Sequence, residues 1–93
     1  MGGTGKTPLI IALANHLKKE GFRPAIISRG YKSQSHRYPL LIDESVSISD
    51  SGDEPTLIYR HTRCPVVIDP DRAAALEFVQ QNTEANVVLS DDG

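Results

Sequence analysis

The stretch GGTGKT, Gly2, Gly3, Thr4, Gly5, Lys6 and Thr7, constrains this chain more than any other. Three glycines in four residues let the backbone bend until several N–H groups point into one concavity. A helical pattern follows at once: Leu9, Leu13 and Leu17 recur at i, i+4 and i+8, beside Ile10 and Ala14. The spacing predicts a helix over 6–20 with Gly21 as its stop, and with Pro8 in the first turn, where the N–H it lacks has no helical partner. A glycine-rich turn could simply cap a helix. Glycines followed directly by Lys-Thr and an amphipathic helix are more specific, and they read as the second half of a phosphate-binding P-loop. The backbone and the positive end of the helix would receive phosphate oxygens. Lys6 would reach the β- and γ-phosphates, and the Thr7 hydroxyl would hold Mg²⁺.

The rest of the pattern supplies strands and helices in alternation. RPAIIS (23–28), CPVVID (64–69) and the segment from residue 85 to the terminal aspartates are short apolar runs bounded by turn residues. YPLLID (38–43) reads as an edge strand, since Pro39 cannot donate to a ladder. EPTLIYRHT reads as two helical turns, with Asp53 or Glu54 near the cap and Pro55 in the first turn. A last helix is expected from Asp69 as cap and Pro70 as its first residue, with Ala75, Leu76 and Val79 on one face. This order predicts a three-layer α/β fold of the P-loop NTPase type with a mainly parallel sheet. A P-loop ordinarily follows a buried strand. The 93 residues therefore read as a partial domain, 1–93, whose first strand lies elsewhere. The detour at 29–55 is too long for a simple connection and reads as an insertion facing the substrate.

Composition narrows the partners. A net charge of -2 gives no electrostatic case for nucleic-acid binding. The single cysteine, Cys64, excludes an internal disulfide. No apolar run reaches the length needed to span a bilayer, and no signal-peptide pattern is present.

Three other places carry chemistry. The chain closes on VVLSDDG, an apolar strand running into Asp91 and Asp92. Asp-Asp-Gly is good turn chemistry, but beside a P-loop a strand that ends in acid completes a metal site at the carboxyl edge of the sheet. In SGDEP, Asp53 stands at a loop-to-helix junction, either as a cap or as a general base taking a proton from an acceptor hydroxyl. SRGYK, with His36 and Arg37, makes a locally basic loop that either binds an anion or is only solvated. His61 and Cys64 are too isolated for a metal site, and His16 belongs to a helix surface.

Taken together, GGTGKTP, SRGY, YPLL, GDEP, DR and the terminal DDG resemble, in order and spacing, the tetraacyldisaccharide 4'-kinase family, and the resemblance covers essentially the whole chain. It implies an ATP- and Mg²⁺-dependent transfer of the γ-phosphate to the 4'-hydroxyl of a lipid-linked glucosamine disaccharide 1-phosphate in lipid A biosynthesis. The work would be done at the cytoplasmic face of the bacterial inner membrane, which would be reached through segments absent here, and the family's C-terminal lobe would likewise lie outside these residues. Carried over by position, Gly2 to Thr7 would bind ATP, with Lys6 catalytic. Thr7, Asp91 and Asp92 would hold the metal, Asp53 would be the catalytic aspartate, and Arg29 and Tyr31 would lie near the acceptor. The chain departs from the family pattern in following SRGY with KSQSH rather than glycine. By itself it is expected to be inactive. The other enzymatic reading is a regulatory or partitioning P-loop ATPase with no lipid acceptor. Such proteins carry a lysine just before the two glycines, where this chain has Met1.

Overall fold

The computed structural model describes residues 2–29, 38–42 and 53–91, and of 2–6, 53 and 54 it describes only the backbone. The elements run α1 (Gly2–Lys19), β1 (Pro24–Ser28), β2 (Leu40–Ile42), α2 (Asp53–Thr62), β3 (Val66–Ile68), α3 (Arg72–Asn82) and β4 (Val87–Asp91). The four strands form one sheet in the order β2-β3-β1-β4. β1 pairs in parallel with both β3 and β4, and β2 joins β3 antiparallel at the edge. This is the mainly parallel sheet the alternation predicts, with the Pro39 strand at the margin as expected.

Strand alternation divides the core into two layers. Ile26, Val66, Ile68 and Ile42 point to one face, with Ala14 of α1 and Ile58 of α2. Ala25, Ile27 and Val67 point to the other, against Ala75 and Val79 of α3. A sheet buried on both faces reads as continuous apolar runs, and AII and VVI are such runs. The three layers are therefore α1 and α2, the sheet, and α3. Lys18 Nζ donates to the Thr62 carbonyl at 2.6 Å and Asn15 Nδ2 to the His61 carbonyl at 3.4 Å, so the two helices of the first layer touch along their C-terminal halves.

Helix boundaries show where local chemistry was read correctly and where it was not. α1 stops at Gly21, whose φ is 95°. The Phe22 N–H bonds back to the Leu17 carbonyl at 2.9 Å and the Gly21 N–H to the Lys18 carbonyl at 3.1 Å, a paired C-terminal closure that needs a left-handed residue. A Cβ at Gly21 would meet nothing within 4 Å. Gly21→Ala is therefore expected to cost the backbone strain alone, about 1–2 kcal/mol, seen as a lower urea midpoint with an unchanged slope. An unaltered midpoint would show that this closure contributes nothing.

Two boundaries correct the sequence reading. The first helix begins at Gly2, not Lys6, and Pro8 lies inside it. Glycine has no Cβ to oppose helical φ and ψ, and helical continuation pairs backbone groups that an open loop would leave unpaired. The cap of α3 is Asp71, which accepts from the Ala73 and Ala74 N–H groups, not Asp69. Asp69 is buried and accepts the Asp71 N–H at 2.8 Å, so the two aspartates act in series: one fixes the turn and the next starts the helix. Pro70 accordingly precedes the helix and does not open it.

Candidate functional site

Connectivity decides which residues can meet. Each helix leads into a strand through a short connection, α1 into β1, α2 into β3 and α3 into β4. Each helix therefore runs back along the sheet, and all three helix N-termini collect at the edge where the parallel strands end. Open α/β sheets bind ligands at that carboxyl edge. Gly2 to Thr7 at the start of α1, Asp53 at the start of α2, Arg29 just past β1 and Asp91 at the end of β4 all lie there. The sequence reading separated these residues by up to 89 positions, and the topology brings them to one rim.

Two of them are polar groups held in the interior. Thr7 is 4% exposed and Asp91 5%. Asp91 pairs in register with Ser28, and it alternates with Leu89 onto the face covered by α1. The hydroxyl-bearing helix turn and the strand-end carboxylate thus approach from the two sides of the same layer. Burying a carboxylate is costly unless it is paired, and among the described residues no buried side-chain nitrogen or oxygen lacks a hydrogen-bond partner.

The donor chemistry sets which metal could fit. Among the described residues no group of three His, Cys, Asp or Glu could hold an ion. Thr7 and Asp91 offer hard oxygen donors, few in number, which suits Mg²⁺ bound mostly through phosphates and water.

The glycine segment has a different form from the expected one. An open loop would point its N–H groups into a cradle, whereas helical backbone over Gly2 to Thr7 aligns them along the helix axis. The unpaired N–H groups and the positive dipole end then sit at Gly2 and the residues after it. Of the other expected residues, Tyr31 and Asp92 lie outside the described residues, as does most of the 29–55 insertion.

Arg29 is placed on the other side of the sheet edge. It lines a small cavity with Asp69, Arg72, Ser90, Ile27 and Ala75, on the face covered by α3. It therefore lies around the rim from Thr7 and Asp91. Asp69, Arg72 and Ser90 were not singled out as functional by the sequence reading. The available signal is DPDR directly after an apolar strand, in which Asp69 and Pro70 read as capping chemistry and DR only as part of the family resemblance.

No helix among the described residues is long and apolar enough to cross a membrane.

Comparison with known proteins agrees with this architecture. A family model described as tetraacyldisaccharide-1-P 4'-kinase matches residues 1–93. The chain is 47% identical over 93 residues to a tetraacyldisaccharide 4'-kinase of Hahella chejuensis and 46% identical to that of Haemophilus influenzae, covering all of this chain and 28% of each relative. It thus spans little more than a quarter of these relatives. Among solved structures it is similar to LpxK from Aquifex aeolicus in complex with ATP, with 35% identity and a TM-score of 0.85 over all of this chain and 30% of that one. With a family model matched from end to end and a fold similar to that solved structure over the whole chain, the chain belongs to the tetraacyldisaccharide-1-P 4'-kinase family.

Proposed function

We propose that this chain is the nucleotide-binding part of an enzyme that transfers the γ-phosphate of ATP to the 4'-hydroxyl of a tetraacyldisaccharide 1-phosphate in lipid A biosynthesis. The observation that carries the reading is the pair of buried polar groups, Thr7 and Asp91, at the carboxyl edge of the sheet beside the start of α1. A P-loop kinase needs such a pair around the transferred phosphate.

In this reading Gly2, Gly3, Thr4 and Gly5 bind the phosphates through their backbone, and the Lys6 ammonium neutralises charge that develops on the β- and γ-oxygens. The loop form requires these residues to leave the helix. That step costs little: each glycine disfavours a helix by about 1 kcal/mol relative to alanine, and Pro8 cannot donate to the Thr4 carbonyl. Thr7, Asp91 and Asp92 would hold Mg²⁺, which supplies charge neutralisation at the phosphates when bound. Asp53, at the first residue of α2, orients and deprotonates the acceptor hydroxyl. Arg29 and Tyr31 hold the acceptor, and Arg72, in the same cavity as Arg29, adds a second cation there. The reaction is placed at the cytoplasmic face of the inner membrane, with membrane contact made by other parts of the protein.

The test is γ-phosphate transfer from ATP to tetraacyldisaccharide 1-phosphate by the full-length protein, with Lys6→Ala alongside. Loss of the ammonium is expected to lower transfer by about 100- to 1000-fold. ATP hydrolysis that ignores the lipid would instead support the regulatory ATPase, a reading the family match does not favour.

A further inference from the structure

Two arginines meet at one small cavity on the α3 face of the sheet edge, Arg29 from just past β1 and Arg72 from the start of α3. Local preference does not put a cation at the second place. Arg72 is the first residue of α3, where the positive end of the helix dipole disfavours it, and no acid stands in that first turn. Its position comes from the turn that leads into the helix.

Asp69 governs that turn and links it to β1. It lines the same cavity and is 8% exposed. Its N–H donates to the Ser28 carbonyl at 2.9 Å, one residue before Arg29. Its Oδ1 accepts the Asp71 N–H at 2.8 Å, one residue before Arg72. One residue is thus hydrogen-bonded beside each arginine, although the two lie far apart in the chain. The arm to Ser28 is main chain and the arm to Asp71 is side chain. Asp71 in turn accepts the Ala73 and Ala74 N–H groups, so the cap of α3 is complete without Asp69. What the Asp69 side chain adds is where that first turn sits, and Arg72 with it.

We propose that Asp69 is a positioning residue for the acceptor: its side chain sets the first turn of α3 so that Arg72 shares one cavity with Arg29. This rests on the reading above, in which both arginines contact the acceptor. Asp69 itself touches no reacting atom in this scheme and acts through Arg72.

Steady-state transfer by the full-length protein, with ATP and tetraacyldisaccharide 1-phosphate varied in turn, tests this. Asp69→Ala removes the side-chain arm and leaves the main-chain bond to Ser28. It is expected to raise the lipid KM about tenfold, through a misplaced charged contact, with the ATP KM near that of the parent. A turn that only stabilised the fold would lower the thermal midpoint without separating the two KM values. Asp69→Asn keeps an Oδ1 that can accept the Asp71 N–H and is expected to restore the lipid KM. Because Asp69 acts through Arg72, Asp69→Ala should add little to Arg72→Ala in the double variant. If Asp69→Ala does not fold, Asp69→Ser, whose hydroxyl makes the same turn more weakly, is expected to show a smaller rise in the lipid KM. The proposal is overturned if the folded variant keeps the parent's lipid KM, or if both KM values rise together. It is also overturned if Asp69→Asn loses as much as Asp69→Ala, or if the losses add in the double variant. All of these are read against a parent that transfers phosphate to the lipid. A parent that hydrolyses ATP and ignores the lipid overturns the functional reading itself, and the role of Asp69 with it.

Discussion

Asp53→Ala in the full-length protein is expected to lower phosphate transfer to the lipid by about 100- to 10000-fold, the range for removing a general base, with ATP binding retained. Asp53 opens α2 at the same edge as Thr7 and Asp91, but the first residue of a helix is also where an aspartate does purely structural work. Asp53→Asn separates the two roles. Asparagine caps a helix about as well as aspartate but cannot take a proton. If Asp53 is the base, Asp53→Asn loses transfer about as severely as Asp53→Ala while its thermal midpoint stays near that of the parent. Near-normal transfer by Asp53→Asn with a destabilised Asp53→Ala would reduce the residue to a cap.

The second large effect is on stability. Ile26→Ala is expected to destabilise the fold by about 2–5 kcal/mol, the range for truncating a buried isoleucine. Ile26 is fully buried in the central part of β1, in register with Val66 on one side and Leu89 on the other, and it packs into the layer shared with Ala14 and Ile58. Domains of this kind are stable by about 5–15 kcal/mol in all, so a large fraction of the stability would go. A urea titration measures it. A loss below about 1 kcal/mol would show that the α1 and α2 layer collapses into the space, and that the sheet is not the rigid support that holds Thr7 and Asp91 together.

Much of this architecture was legible because its determinants are local. Short apolar runs bounded by Gly, Pro and Asp give strands, and spacing of three and four gives helices. Gly21 stops α1 because only a left-handed residue closes that helix end, and the sequence states the need directly. The alternation of helix and strand then carries the mainly parallel sheet, and Pro39 marks its edge. The candidate site was half legible for the same reason. GGTGKT and the strand-end DDG announce phosphate and metal chemistry by type and order.

Other features were decided by packing and by competition between neighbours. The choice of Asp71 over Asp69 as the cap depends on which of two nearby aspartates is pulled into the interior, and Asp69 is buried by β1 and β3. Whether Gly2 to Gly5 form a loop or the first turn of α1 is a near-balance that glycine leaves open. Arg29 could not be assigned to a face until the register of β1 set it with Ile27 against α3 and away from Thr7. Arg72, Asp69 and Ser90 became a group with it only through that register.

By itself, then, the amino-acid sequence determined the kinds of element, their order and which polar residue types stand at the ends of α1 and β4, because those depend on residues within one or two turns of each other. Only the tertiary structure decided that Thr7 and Asp91 share one buried rim and that Arg29 lies on the far face. Side chains so far apart in the chain meet through strand register and helix direction, and those are settled by burying both faces of the sheet at once.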